Sequence, residues 1–300
     1  MSARPRVYLL DASIYIFKAW FSMPDQWKAR NGFSTQAVVG YTHTLLGLLE
    51  QFAPTAMLAA FDESLGTCFR HDLYAGYKSN RALPDEALAF QLNACRDITE
   101  ALGVSSVAHA RFEADDLIAT AARLARERAM DVWVLSRDKD LGQLLLQPGD
   151  RLTDVPVTDP LDRKAYEQRH GIAPEQVAEW LALTGDSVDA IPGVPGIGAV
   201  TATRLLQRYG SLDSLMSQLD DLSASGIRGA KRHAATLQSH RDQIALALRL
   251  TTLENTVDGV PTDWRLKPVS RTALERLIDQ LGLGAALVQR ATRVLGARGQ

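Results

Sequence analysis

The chain has 300 residues, 46% hydrophobic and 23% charged, with a formal net charge of −2, an ordinary globular composition with material for one large domain or two modest ones. The two cysteines, Cys68 and Cys95, form no C-x-x-C pair, which excludes a disulfide framework and a thiolate zinc site and suits a reducing cytoplasm. The short apolar run before Asp11 is no secretory signal, and no apolar stretch has the length needed to cross a bilayer.

Residues 7–10 read as a strand ending at Asp11. Helical spacing of apolar residues follows over 38–52, then a second strand over 56–61 ends at Asp62. The stretch 64–82 fits neither template. It carries Gly66, Gly76, Tyr77 and several bases, and a segment of this kind within a compact domain is usually a functional loop. Helix 85–102, strand 104–108, helix 114–128 and strand 132–135 continue the alternation. That order predicts an α/β domain with a mostly parallel central sheet and helices on both faces.

From residue 173 the strand signal ends. Pro174 opens a helix through 183, a Gly/Pro-rich turn spans 191–198, and helices follow to 209, over 241–250 and over 271–295. A boundary near residue 170 gives an α/β domain, 1–170, and a smaller all-α domain, 171–300. Residues 196–241 hold six bases (Arg204, Arg208, Arg228, Lys231, Arg232, Arg241) against three acids. A basic surface beside an acidic pocket would average to near neutrality, but by charge alone that stretch reads as solvated helix faces.

The acids sit in a pattern. Asp11 and Asp62 end strands, Glu113, Asp115 and Asp116 form E-A-D-D at a helix start, Asp138 and Asp140 form D-K-D after a strand, and Asp186 and Asp189 lie in G-D-S-V-D. Each alone could be a helix cap or turn residue. The carboxyl ends of parallel strands share one edge, however, and ligands bind in the crevice there. Acids converging on it repel one another unless a hard divalent cation neutralises them, and Mg²⁺ takes such oxygen ligands. Two ions can clamp the attacking and leaving oxygens of a phosphodiester.

The turn from Ile191 to Gly198 precedes a helical stretch. No strand precedes it, so a dinucleotide-binding loop is rejected. Gly193, Gly196 and Gly198 instead suit a helix–turn–helix whose backbone N–H groups meet a phosphate without reading bases. The bases Arg70, Lys78 and Arg81 suit phosphate, and Tyr77 suits stacking on an unpaired base.

These stretches (L-L-D-A-S-I-Y, A-A-F-D, F-R-H-D-L-Y-A-G-Y-K-S-N-R, E-A-D-D, S-R-D-K-D and G-D-S-V-D-A-I-P-G-V-P-G-I-G) run in one order from residue 7 to about 210. In that order they resemble the 5′-nuclease family: the 5′–3′ exonuclease domain of bacterial DNA polymerase I, phage 5′ nucleases and flap endonucleases. The resemblance implies a PIN-like, resolvase-like α/β fold followed by a helix–three-turn–helix domain. It implies a metal-dependent 5′–3′ exodeoxyribonuclease and flap endonuclease acting in DNA replication or repair. Asp11, Asp62, Glu113, Asp115 and Asp116 match its first metal cluster, and Asp138, Asp140, Asp186 and Asp189 its second, with Mg²⁺ or Mn²⁺ as cofactor. Lys78 and Arg81 match catalytic bases of a helical arch that also includes Arg70 and Tyr77, and Lys18 sits where the family often has Arg. Gly193, Gly196 and Gly198, with Arg204 and Arg208 behind them, match the hairpin that grips duplex DNA and often holds K⁺.

The family often has Gly at Ala12 and Arg137, Asn at Ala190 and Lys at Val200; the last two departures weaken the expected duplex grip. The expectation is a free-standing, monomeric, cytoplasmic, nucleoid-associated DNA nuclease with no membrane partner. Its rivals are a DNA-binding module with a vestigial site and a related metal-dependent ribonuclease.

Overall fold

The computed structural model describes residues 4–298 apart from 82, 157, 158, 225 and 227. The last residue of the expected arch, Ala82, and the extreme ends of both expected domains therefore lie outside the described residues.

Five strands form one sheet: β1 (Arg6–Asp11), β2 (Met57–Asp62), β3 (Ser105–His109), β4 (Asp131–Leu135) and β5 (Arg151–Thr153). Their order is β3-β2-β1-β4-β5, and every pairing is parallel. The registers Asp11↔Ala60 and Leu10↔Leu135 bring the carboxyl ends of the three middle strands to one edge. Leu9, Leu10, Leu58 and Ala59 are buried, as strands covered on both faces require. Helices Ala12–Ser22, Gln36–Phe52 and Glu86–Ala101 cover one face, and helix Ala114–Glu127 covers the other.

Helix Ala12–Ser22 and strand β5 carry no clear sequence signal. The helix is rich in aromatic and β-branched residues and apolar nearly all round, so no stripe stands out. Strand β5 is three residues long. The helical stretch read over 271–295 is two helices, Arg271–Gln280 and Ala285–Arg298. They are broken at Gly282, where φ is +64° and a Cβ would lie 2.0 Å from the carbonyl oxygen of Lys28.

The helical part packs its own core from Leu183, Val194, Leu205, Leu206, Leu237 and Leu250. At the far end of the expected domain 171–300 the chain packs against the sheet. Val257, Val260 and Trp264 join the core on one sheet face, and Leu274, Ile278, Leu287 and Val294 join the core on the other. Packing these apolar side chains against the sheet faces removes them from water. Among the described residues no helix is long and apolar enough to cross a membrane.

Candidate active site and nucleic-acid interface

Asp11 closes β1 and caps the next helix, accepting from the Ile14 N–H at 3.3 Å. Its other oxygen accepts from the Ser136 hydroxyl at 2.7 Å, and Ser136 Oγ accepts from the Asp138 N–H at 3.0 Å. Asp62 accepts from the Ala114 N–H at 2.7 Å, while its own N–H donates to Ser13 Oγ at 2.8 Å. Ser136 thus orients the Asp11 carboxylate across the sheet edge, and Ser13 ties the following helix to the end of β2 through the Asp62 N–H. Sequence reading passed over both, because Ser13 serves an acid 49 residues away and Ser136 one 125 residues away.

Several of the acids face one another at this edge. Burial and then the facing Asp62 push the Asp11 carboxyl up to about 7. Burial, followed by Asp11, Asp138 and Asp62, holds Asp115 well above the usual carboxylate range. Burial and Asp138 push Asp140 up to about 6. Glu113, Asp115, Asp140, Asp186 and Asp189 line one polar cavity. The two expected clusters are therefore one continuous acidic trough. Among the described residues no three acidic or imidazole side chains are drawn together as a preformed metal shell.

The arch bases close over this trough. Lys78 pairs with Glu113 and lies 3.6 Å from Asp189, and Arg81 also pairs with Asp189. Burial would raise the Glu113 carboxyl, but Lys78 and Arg70 hold it below its ordinary value. Burial would lower the Lys78 ammonium, but Glu113, Asp189 and Asp62 hold it above its ordinary value. Lys78 adopts a left-handed backbone, φ +50°, and its N–H donates to the Asp189 carbonyl at 2.9 Å. A non-glycine residue held there costs about 1–2 kcal/mol, and the ion pairs to Glu113 and Asp189 hold the ammonium over the acids. Lys18 is exposed on the rim, 3.5 Å from the Val155 carbonyl.

Four of the expected site residues lie in settings other than an open ligand or DNA contact. Asp116, read as a metal ligand, is fully buried and paired with the Arg70 guanidinium at 2.6 and 2.7 Å. It also accepts from the N–H groups of Glu254 at 2.9 Å and Glu113 at 3.2 Å, so its lone pairs are engaged inside the protein. Arg70, read as a DNA contact, is 2% exposed and spends its remaining donors on Glu113 and the carbonyls of Leu250 and Thr252. Tyr77, read as a stacking platform, is buried in the helical core with its hydroxyl donating to Glu113 at 2.7 Å. Gly193, read as a phosphate contact, faces inward: a Cβ there would lie 2.2 Å from the Thr184 carbonyl oxygen.

Gly196 and Gly198 face outward, while Ile191, Val194 and Ile197 of the same hairpin are buried. A Cβ on Gly196 or Gly198 would meet nothing within 4 Å. Gly198 starts helix Ala199–Tyr209 with no side-chain cap, leaving its first N–H groups open. Arg204 and Arg208 are exposed on that helix, and Val200 is exposed in its first turn.

Residues 6–179 match the family model described as the 5'-3' exonuclease N-terminal resolvase-like domain, and residues 172–275 the 5'-3' exonuclease C-terminal SAM fold. The chain belongs to the 5'-3' exonuclease family. As a member it is a nuclease-class enzyme with a resolvase-like sheet domain and a SAM-like helical domain. It is 34% identical to the DNA polymerase I of Mycobacterium leprae over 99% of this chain and 32% of that protein. It is 36% identical to that of Rhizobium leguminosarum over 86% of this chain and 25% of that protein. The exonuclease chain thus spans about a third or less of these relatives' length.

Solved structures share the fold. The T5 D15 protein co-crystallised with metal ions aligns at TM-score 0.69 and 18% identity, over 98% of this chain and 100% of that one. The catalytic core of Rad2 in complex with DNA substrate aligns at TM-score 0.66 and 13% identity, over 98% and 93%.

Proposed function

We propose that this exonuclease hydrolyses phosphodiesters of 5′-ended, nicked or flap DNA, as a 5′–3′ exonuclease and flap endonuclease of replication or repair. The observation that carries the reading is the convergence of Asp11, Asp62, Asp115 and Asp138 at one sheet edge, each from a different segment. The donors are all carboxylate oxygens, which fit Mg²⁺ or Mn²⁺ and no thiolate metal. Mg²⁺ keeps several waters, so it needs few protein ligands at once and no preformed shell. Asp11, Asp62, Glu113 and Asp115, with Asp138, Asp140, Asp186 and Asp189, would hold the ions. Bound ions supply an activated water and stabilise the leaving 3′-oxygen.

The remaining work falls to the chain. Lys78 and Arg81, already over the trough, neutralise charge on the phosphoryl oxygens as preorganised donors. Gly196, Gly198, Arg204 and Arg208 grip backbone phosphate without reading sequence. The proposed division is a sheet domain, 1–170, and a helical domain from 171, with the C-terminal residues packed back on the sheet. A monomer in the cytoplasm near the nucleoid, with K⁺ at the hairpin, completes the proposal. Duplex affinity in K⁺ against Na⁺ at constant ionic strength tests the K⁺ assignment.

The experiment is digestion of flap DNA, an RNA–DNA hybrid and single-stranded RNA, each with Mg²⁺ and with EDTA. Mg²⁺-dependent cleavage of flap DNA is expected. Binding without cleavage would indicate a vestigial site, and cleavage of RNA alone a ribonuclease.

A further inference from the structure

Beside the trough, on the β4–β5 side, lies a crevice of about 330 Å³ with none of the expected catalytic bases in it. Arg137 and Lys139 reach it from the end of β4, and Arg169 from the last turn of helix Arg163–His170. Its floor is the end of β5, Leu152 to Asp154. Asp154 is already engaged, accepting from the Tyr15 hydroxyl at 3.2 Å and the Val155 N–H at 2.6 Å. Lys18 lies against Val155 on the same rim.

The bases differ in what they are free to do. Lys139 is committed to Asp140 at 3.0 Å. Arg137 is half-exposed and only 3.7 Å from Asp154, too long for a hydrogen bond. Arg169 is exposed and makes no ion pair or hydrogen bond among the described residues. Two guanidinium forks with unspent donors therefore face a crevice whose next residue, Asp138, belongs to the trough. Guanidinium forks match phosphate oxygens bidentately. A strand lying over Asp138 must leave the trough across one of its sides, and on this side Arg137, Lys139 and Arg169 face the crevice together with Asp154 and Asp159, with Arg169 making no ion pair among the described residues.

We propose that the crevice seats a backbone phosphate of the DNA strand crossing the trough, with Arg137 and Arg169 as its ligands. This rests on the DNA-cleaving reading above. It adds a contact outside both the arch and the hairpin, and one that positions the strand relative to the acids without reading bases.

The test is the salt dependence of flap-DNA binding, measured with Ca²⁺ in place of Mg²⁺, for wild type, Arg137→Ala, Arg169→Ala and the double variant. Wild type should bind with a steep slope of log affinity against log salt; failure of wild type to bind flap DNA would sink the DNA-cleaving reading itself. Given wild-type binding, the double variant should lower that slope by about 0.7–0.9, the share of one phosphate contact. Arg137→Lys should keep most of the slope. Arg265→Ala is the control: it removes an exposed base at the opposite sheet edge, bridged to Ala56, and should leave the slope unchanged. Double-variant and wild-type slopes that coincide would overturn the proposal, as would an equal drop in the control. Repeating the series with 5′-phosphate and 5′-hydroxyl ends identifies the ligand. Equal loss on both supports an internal phosphodiester, and a loss confined to 5′-phosphate ends would overturn that assignment in favour of the terminal phosphate.

Discussion

The pair Arg70–Asp116 should behave as a structural bolt and not as catalytic machinery. Both side chains are at most 3% exposed, and the pair links the arch base, the start of helix Ala114–Glu127 and the segment 250–254 of the helical part. Removing one partner strands the other charge in the interior, which costs about 3–5 kcal/mol. Arg70→Ala leaves the Asp116 carboxylate and the Leu250 and Thr252 carbonyls short of donors. Asp116→Ala leaves the guanidinium with Glu113 as its only acid partner among the described residues. At roughly 2 °C per kcal/mol for a chain of this size, each single variant should lose about 6–10 °C of melting temperature. An apolar replacement of both, Arg70→Met with Asp116→Leu, should recover much of that loss, because buried ion pairs often exchange for packed apolar residues at little cost. The assay is thermal unfolding in EDTA, so that no metal contributes. Single variants that melt within 2 °C of wild type, or an Asp116→Ala whose only defect is weaker metal binding, would refute the reasoning and restore Asp116 as a ligand.

Asp115→Asn and Asp140→Asn should each melt at or above the wild-type temperature, since each removes a charge that its neighbours repel, yet cut flap DNA at least about 100-fold more slowly; near-normal cleavage would contradict their role. In metal-free protein, Asp11 and Asp140 hold their protons up to about 7 and 6, above the unfolded value of 3.8, so the folded state binds more protons between those limits. The stability they contribute is complete below pH 4 and lost as pH rises through 6 to 7. Mg²⁺ needs the deprotonated forms, so its rise in melting temperature should be larger at pH 8 than at pH 5; an equal or reversed rise counts against the trough as the metal site. Ala190, at φ +56° next to Asp189, occupies a left-handed conformation that Asn tolerates better. Ala190→Asn should add up to about 1 kcal/mol of stability with no loss of cleavage, and a fall in melting temperature would show that the side chain has no room.

The sequence by itself determined the alternation of buried strands and helices, and with it the parallel sheet. It also determined where the acids sit, because Asp11 and Asp62 end buried strands and parallel strands share one edge. The outward turn at Gly196–Gly198 was legible for the same local reason: glycines and an uncapped helix start are sequence features. Which of two adjacent acids enters the trough was not legible. Successive residues on a helix point about 100° apart, so Asp115 turns to Asp11 and Asp138 while Asp116 turns inward to Arg70. Nothing in E-A-D-D says which way the helix is rotated; the packing of Leu117, Ile118 and Ala121 against the sheet decides it. Arg70 and Tyr77 were misread for a related reason. A basic, aromatic segment looks exposed until a second body covers it, and that body is the helical part, some 180 residues further on in the case of the Leu250 carbonyl. The end of the helical part was likewise settled by tertiary contacts alone. An amphipathic helix such as Arg271–Gln280 announces that one face must be buried, and only the assembled fold shows that the open surface lies on the sheet domain.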